Sequence, residues 1–473
     1  MKTNTSISIL SIFLSPLLIT PSFAQSITKS KIEEAYRLFE HDPALKNGTA
    51  SLTVLNGTTG EPIFQQNETV GLATASTMKI ITAATAFDVL GKDFKFKTTL
   101  YYTGSIQENG ILDGDIIIHG TGDPTLGSSR YPESSEEQLL NKWVYVIQNA
   151  GIKEIKGRVI GDDSLYGGYK VPGGWIWTDI GNYYGAGVSS LNWRENAVGV
   201  VFNPSEKIGS PAAIQKLTAD LSYLQIINEV TTGKNESGDN VYAYSGPYAS
   251  QVYIRGTYGA DLKKTIEIAV PDPAYDVAFQ LSKSLTNAGI KTANPPSNSR
   301  SIVTTDIEKH SLDIHESAPL SEIIYWFNQK SINLYGEALL KAIAYQTAQK
   351  TETSDGASCV QKYWENKLKI NPNELNSCDG SGLSPQNRVT TGAMAKIMQY
   401  TQSQSWFPEF YKSLPEYNKM KMKSGTIGGA LGYTGIQTNS MGEKFTFTLL
   451  VNNYSGSTSA MRKQMFQLLD TLK

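Results

Sequence analysis

The strongest constraint on the fold is where the helix and strand signals fall along the chain. Strong patterns at both ends flank roughly 200 residues of short strands punctuated by Gly and Pro. At the start, Ala50-Ser-Leu-Thr-Val-Leu alternates as a strand does, Asn56-Gly57 marks a turn, and Pro62-Ile-Phe-Gln returns. Residues 76–90 then carry Ile80, Ile81, Ala84, Phe87 and Leu90 at helical spacing. At the far end, 320–327 and 333–348 read as helices and Lys444-Phe-Thr-Phe-Thr-Leu-Leu-Val as a strand. Met461, Met465, Leu468, Leu469 and Leu472 form the apolar stripe of a closing helix. Neither end makes a complete layer alone. Together they predict one α+β domain, a helix-covered antiparallel sheet built from 25–95 and 303–473. Residues 96–302 are then an inserted, strand-rich region of about 200 residues, and the length of 473 residues carries a soft prior of about three domains.

Within the insertion, Ser134-x-x-Glu137 reads as a capping box opening a helix that Gly151 stops, and a second helix falls near 275–288. The string Asn-Ala-Gly-Ile-Lys occurs at 149–153 and again at 287–291. It marks either a duplicated unit or two helices stopped by the same glycine cap before a strand. A short helix is expected at 30–41, before the first strand.

The first 24 residues read as a secretory signal peptide. Lys2 gives the positive start, 7–19 the apolar stretch, and Ser22-Phe23-Ala24 the small residues before a cut at Gln25. The apolar run falls short of the ~20 residues a membrane span needs, so no transmembrane anchor is expected and the mature chain is expected in the periplasm. Export permits disulfides: Cys359 and Cys378 either close a small loop or stand as independent thiols. A formal net charge of −2 gives no basic footprint for nucleic acid. Four scattered His and two Cys leave no metal-ligand constellation, so no metal and no organic cofactor is expected.

The chemistry must then come from side chains alone. There is no Gly-x-Ser-x-Gly, and His41, His119, His310 and His315 sit in no triad context. Lysine can serve as the base if it is held beside a serine with its pKa lowered. Ser76-Thr-Met-Lys79 puts both on one helix face, with Ser76 at the N-terminus, where backbone N–H groups favour developing negative charge. A second Ser-x-x-Lys, at Ser26-Lys29, lies at the new N-terminus and is discounted. Ser331-Ile-Asn333 opens a helix and offers a hydroxyl and an amide. Ser190-Leu-Asn192 has the same spacing but lies in the insertion, and is read as a decoy. Lys423-Ser-Gly-Thr426 offers a cation beside an edge strand that can align a peptide, with Gly425 permitting close backbone approach.

With these three motifs in this order, the chain resembles the class C low-molecular-weight penicillin-binding proteins, often called the PBP4 or DacB type. These are the D-alanyl-D-alanine carboxypeptidase/endopeptidases of peptidase family S13. The resemblance is carried further by Ser331-x-Asn-Leu-Tyr-x-Glu-Ala-Leu-Leu-Lys341, Asp379-Gly-Ser-Gly-Leu-Ser384 and His119-Gly-Thr-Gly-Asp-Pro-Thr-Leu126, and by the gap of about 250 residues between the first two motifs. It implies a β-lactamase/transpeptidase-like domain with two inserted domains. It also implies a DD-peptidase acting on peptidoglycan stem peptides through an acyl-enzyme, and covalent binding of β-lactam antibiotics. In that reading Ser76 is the nucleophile, Lys79 its base, Ser331 the proton shuttle, Asn333 the holder of the acyl-side amide, and Lys423 the cation that tunes the field. Ser424 and Thr426 meet the substrate carboxylate. Asp179 and Tyr184 form a pocket for the amino end of the stem peptide's diamino acid. Three positions depart from the family pattern: Ile332 where Asp is common, Ser424 for Thr, and Pro385 where many members have Arg. The rivals on the same scaffold are a β-lactamase and a non-turnover penicillin-binding sensor.

Overall fold

The computed structural model describes residues 21–166, 169–302 and 308–473. Residues 1–20 of the expected signal peptide lie outside them, and a single helix, Pro21–Glu40, runs through the expected cut.

A six-stranded antiparallel sheet organises the catalytic half. Its order is Pro62–Gln66, Thr49–Asn56, Lys444–Asn452, Ala430–Thr438, Met420–Ile427 and Glu416–Tyr417. The N-terminal strand thus pairs along its whole length with a strand nearly 400 residues later, Thr49 opposite Asn452 and Asn56 opposite Phe445. One face packs under the two terminal helices, Pro21–Glu40 and Thr458–Leu469. There Ile32, Tyr36, Met461, Met465 and Leu468 meet Val54, Met422, Phe447 and Leu449. The expected apolar stripe of the closing helix is buried throughout. Over the other face lies an all-helical layer. Lys79–Leu90 is at its centre, buried from Lys79 to Phe87, and Asn333–Ala348, Thr353–Leu368 and Thr391–Thr401 surround it.

The insertion holds two further cores. The first joins a five-stranded sheet, a four-stranded sheet and the helices Glu136–Asn149 and Pro273–Asn287 around Trp143, Ile118, Val277 and Leu281. The second packs two three-stranded sheets around Val200, Val241, Ile254 and Ile268. His310–Glu316, beyond the expected return at 303, pairs antiparallel with Lys97–Tyr102 and so completes the five-stranded sheet of the first core. The duplicated pentapeptide ends both helices with a left-handed glycine, Gly151 and Gly289. The short strands that follow pair with each other, Lys291 opposite Glu154.

One local expectation fails. The capping box at Ser134 is not made: the helix starts one residue later, after Ser135, and the Ser134 hydroxyl instead bonds His315 Nε2 at 2.9 Å. A tertiary partner outcompetes the local cap, and His315, buried and near Lys142, is held down to about pKa 4, so its neutral ring suits that bond. Of the two alternatives left open for the cysteines, Cys359 and Cys378 take the second: they are separate thiols.

Candidate active site

The nucleophile candidate sits where a strained turn enters a buried helix. Ala75 takes a left-handed conformation (φ +45°), Ser76 lies in the single 3-10 turn Ala75–Met78, and the α-helix starts at Lys79. This turn is pinned from two sides by glycines. A Cβ at Gly425 would stand 2.7–2.8 Å from Thr74 O, Ser76 N and Thr77 N, so only glycine lets the Met420–Ile427 strand lie against the serine. Gly382 (φ +84°) comes as close to the Ala75 carbonyl from the other side.

Lys79 is fully buried and is held by three acceptors. Its Nζ donates to Ser76 Oγ at 2.9 Å, Asn333 Oδ1 at 2.6 Å and Ser381 O at 2.7 Å. Burial, then the charge of Lys423, pushes its pKa well below the ordinary lysine value, with Asp379 and Glu337 opposing. The lowered pKa makes the neutral amine accessible, and in that form, still bonded to Asn333 and Ser381, its lone pair can accept the Ser76 proton across the same contact.

The second triplet opens Asn333–Ala348. Ser331 is also left-handed (φ +56°), a conformation that costs a non-glycine residue about 1–3 kcal/mol. The strain aims its hydroxyl at Lys423, whose Nζ donates to Ser331 Oγ at 3.1 Å and to the Ser424 carbonyl at 2.9 Å. Lys423 is buried, and burial lowers its pKa to about 7. Asn333 turns its Oδ1 to Lys79 and donates Nδ2 to the Tyr184 carbonyl at 2.8 Å, so the insertion helps to orient the amide. Ser76, Lys79 and Asn333 thus form one hydrogen-bonded group and Ser331 and Lys423 a second, near enough for the charge of Lys423 to act on Lys79. Beyond the two-residue pairing with Glu416–Tyr417, the strand that carries Lys423 has no strand partner along residues 423–427 on its outer side among the described residues. Backbone groups there are open to an extended ligand.

A cleft of about 960 Å³ opens on these two groups. Ser76, Ser331, Asn333 and Thr426 line one wall, and Asp179, Tyr183, Tyr184 and Glu195 of the insertion line the other. Ser424 is half-buried on the strand and does not line it. Asp179 and Tyr184 lie together: burial raises the Asp179 carboxyl, the hydrogen bond from Tyr184 opposes this, and the Tyr184 phenol is itself raised by burial and by Asp179. Pro385 lines the cleft where an arginine is common in the resembled family.

Sequence reasoning assigned no role to the group behind Lys79. Glu337, four residues after Asn333 and fully buried, accepts from Gly380 N at 3.2 Å and from Ser381 N at 3.0 Å. It thereby fixes the backbone of Ser381, the residue whose carbonyl holds Lys79. Burial and the neighbouring Asp379 push Glu337 up to about 8. Asp379 accepts from Gly382 N, Ser384 N, Asn387 Nδ2 and, across the interface, Trp175 Nε1 of the insertion at 2.9 Å. The available signal was the i, i+4 spacing of Asn333 and Glu337, which puts both on one helix face.

The decoy is structural. Ser190 and Asn192 are fully buried away from the cleft. His119 pairs with Asp162 at 3.1 Å outside the site. Among the described residues no cluster of three His, Cys, Asp or Glu is arranged to hold a metal, and no helix is long and apolar enough to cross a membrane.

The chain is similar to known proteins over most of its length. A D-alanyl-D-alanine carboxypeptidase of Actinomadura sp. (strain R39) is 25% identical over 443 residues, covering 88% of this chain and 80% of the relative. The D-alanyl-D-alanine carboxypeptidase DacB of Haemophilus influenzae is 24% identical over 424 residues, 83% of each chain. The crystal structure of that organism's penicillin binding protein 4 superimposes with a TM-score of 0.75 at 22% identity, covering 94% of this chain and 97% of the other. It has also been solved in complex with a β-lactam. The shared architecture is the expected α+β, transpeptidase-like one with additional small sheets. The family model for the D-Ala-D-Ala carboxypeptidase 3 (S13) family matches residues 33–472, nearly the whole described chain, and the protein belongs to that family.

Proposed function

We propose that the protein is an exported, periplasmic serine DD-peptidase. It trims D-Ala-D-Ala ends of peptidoglycan stem peptides and also cuts D-Ala–diaminoacyl cross-links. The observation that carries the reading is the 2.9 Å contact between the Lys79 amine and the Ser76 hydroxyl, with the amine buried and bonded to two further acceptors. Ser76 Oγ attacks the penultimate D-Ala carbonyl as its proton passes to Lys79. The N–H groups of Ser76 and Thr426 stabilise the oxyanion. Collapse breaks the peptide bond, and the leaving amine takes a proton through Ser331, backed by Lys423. Water then hydrolyses the acyl-enzyme. Asn333 holds the acyl-side amide, and Thr426, which lines the cleft, receives the terminal carboxylate, with the half-buried Ser424 two residues before it on the strand turning its hydroxyl to the same group once substrate is bound. Asp179 and Tyr184 bind the free amino end of the diamino acid.

Carboxypeptidase and endopeptidase work differ only in the leaving amine. The open edge strand and the long cleft, walled by the insertion, leave room for the bulkier one. A β-lactam carbonyl enters the same acylation step, so a labelled penicillin should mass-tag the peptide that contains Ser76, and Ser76→Ala should abolish the tag. A tag that survives on Ser331 would refute the assignment. Digestion of purified cross-linked peptidoglycan, with products identified by mass, tests the two activities: free D-Ala reports the first and monomers released from dimers the second.

A further inference from the structure

The insertion carries a surface that this chemistry does not use. The sheet of Gln225–Gly233, Gln251–Gly259 and Asp239–Tyr244 buries one face through Val230, Val241, Ala243, Val252 and Ile254. Strand alternation turns the neighbouring residues outward: Tyr242 and Tyr244 on one strand, Gln251, Tyr253 and Arg255 on the next. The register sets Tyr244 opposite Tyr253 and Tyr242 opposite Arg255. Trp177, 58% exposed, joins them from the short helix that also carries Asp179. Trp177, Tyr244, Tyr253, Gln251 and Arg255 line a groove of about 640 Å³. Single exposed aromatics are ordinary, but several grouped in one groove, with hydrogen-bonding side chains between them, mark a binding face.

Charge and position narrow the occupant. Arg255 is bonded to Glu229, so the groove presents no net charge, and no basic cluster is there to attract a lipid surface or a nucleic acid. Flat aromatic faces match the C–H faces of pyranose rings, and Gln251 and Arg255 offer donors to ring hydroxyl and acetamido oxygens. The groove also neighbours the cleft: Trp177 lines the groove, while Ile176 and Asp179 on either side of it in the chain line the cleft. Tyr242 lies within electrostatic reach of Tyr184, and Tyr183, 53% exposed, packs edge-on to Tyr184 with ring centroids 5.3 Å apart.

We propose that this aromatic face binds the polysaccharide to which the stem peptide is attached, so that the enzyme grips the glycan while Ser76 works on its peptide. The proposal rests on the stem-peptide reading of the cleft. A second contact on the same polymer raises the effective concentration of each peptide at the nucleophile.

The test uses the full chain carrying Ser76→Ala and glycan strands stripped of their peptides by an amidase. The protein should bind these strands, and Trp177→Ala and Tyr253→Ala should each weaken binding about tenfold, the loss expected when an aromatic anchor is truncated. In the active enzyme the same two variants should keep wild-type penicillin acylation, which also reports their folding. They should also keep turnover of a short soluble stem peptide, while turnover of whole peptidoglycan falls. Failure of the peptide-free glycan to bind, or equal binding by the two variants, overturns the proposal, as does retention on intact peptidoglycan that vanishes once peptides are removed. Wild-type turnover of the short peptide is read separately, so its absence would count against the stem-peptide reading and not against the aromatic face alone.

Discussion

Two Ser-x-Asn triplets stand in this chain, and only their surroundings separate them. At Ser190-Leu-Asn192 every group turns inward. Asn192 Oδ1 accepts from Ser189 N and Asn196 Nδ2, both at 2.8 Å, and its Nδ2 donates to the carbonyls of Gly122 and Asp123. The Ser190 hydroxyl is buried without a hydrogen-bond partner among the described residues. At Ser331-Ile-Asn333 the same residue types face two buried lysines and an open cleft. The first triplet ties loops of the insertion together. The second spends backbone strain to present a hydroxyl. Spacing alone therefore carries no chemistry here; a charged partner and access to a ligand do.

The sharpest way to break this comparison is to remove each hydroxyl in turn. Ser331→Ala should slow penicillin acylation by at least ~10²-fold, the scale for losing a positioned proton-transfer group. Ser190→Ala should leave the rate unchanged, since that hydroxyl has no hydrogen-bond partner among the described residues and lies away from the cleft. Reversed effects, read by stopped-flow acylation, would mean that the second motif is misassigned.

The asparagines sharpen it in the other direction. Asn192→Ala strands two buried donors and two carbonyls, so thermal or urea unfolding should show a loss of about 2–4 kcal/mol. Acylation per folded molecule should stay near wild type. Asn333→Ala should instead reduce acylation strongly with a smaller loss of stability. A large stability loss from Asn333→Ala with normal acylation would reverse the assignment.

A third contrast sets the cleft wall of the insertion against the catalytic set. If Asp179 binds the ammonium of a diamino acid, a charge-assisted contact worth ~1.5–3 kcal/mol is at stake. Asp179→Ala should then lower kcat/KM roughly tenfold to a hundredfold on peptides bearing that amine. Penicillin, which offers no ammonium, should acylate at the wild-type rate, and acetylating the peptide's amine should bring wild type down to the variant's level. Equal loss on both substrates would make Asp179 a structural residue.

What could be read from sequence follows the range of the forces involved. Strands, helices and glycine caps are local, and Thr49–Asn56, Asn333–Ala348 and the Gly151 and Gly289 stops fall close to where pattern put them. The three motifs were legible because each keeps its residues within four positions. Features set by distant partners were not. Ser134 gave up its cap for His315, 181 residues away. His310–Glu316 joined a sheet whose other strands lie in the insertion. The bond from Trp175 to Asp379 spans 204 residues and locks the insertion onto the loop behind Lys79. No composition or periodicity encodes such pairings. Glu337 stood in plain sight within a motif, but its role depends on amides more than 40 positions later.

The smallest expected effect is one of pH, and it tests why the two lysines that face the second triplet matter. Lys79 must be neutral to accept the Ser76 proton. Burial and the charge of Lys423 hold its pKa well down, so raising the pH only increases its basic form. Lys423 works in the opposite sense. Its task requires the cation, and burial brings its pKa down to about 7. As pH rises through that value the cation is lost, and with it one of the two forces that depress Lys79. Acylation by penicillin should therefore fall on the alkaline side with a limb centred near 7, by at most tenfold per pH unit. Lys423→Arg keeps its charge throughout this range, so the limb should flatten even though the altered geometry lowers the overall rate. Ser190→Ala, with no titrating partner, should retain the wild-type limb. Persistence of the full limb in Lys423→Arg would assign the titration to another group, with Glu337, pushed up to about 8, the first to examine through Glu337→Gln.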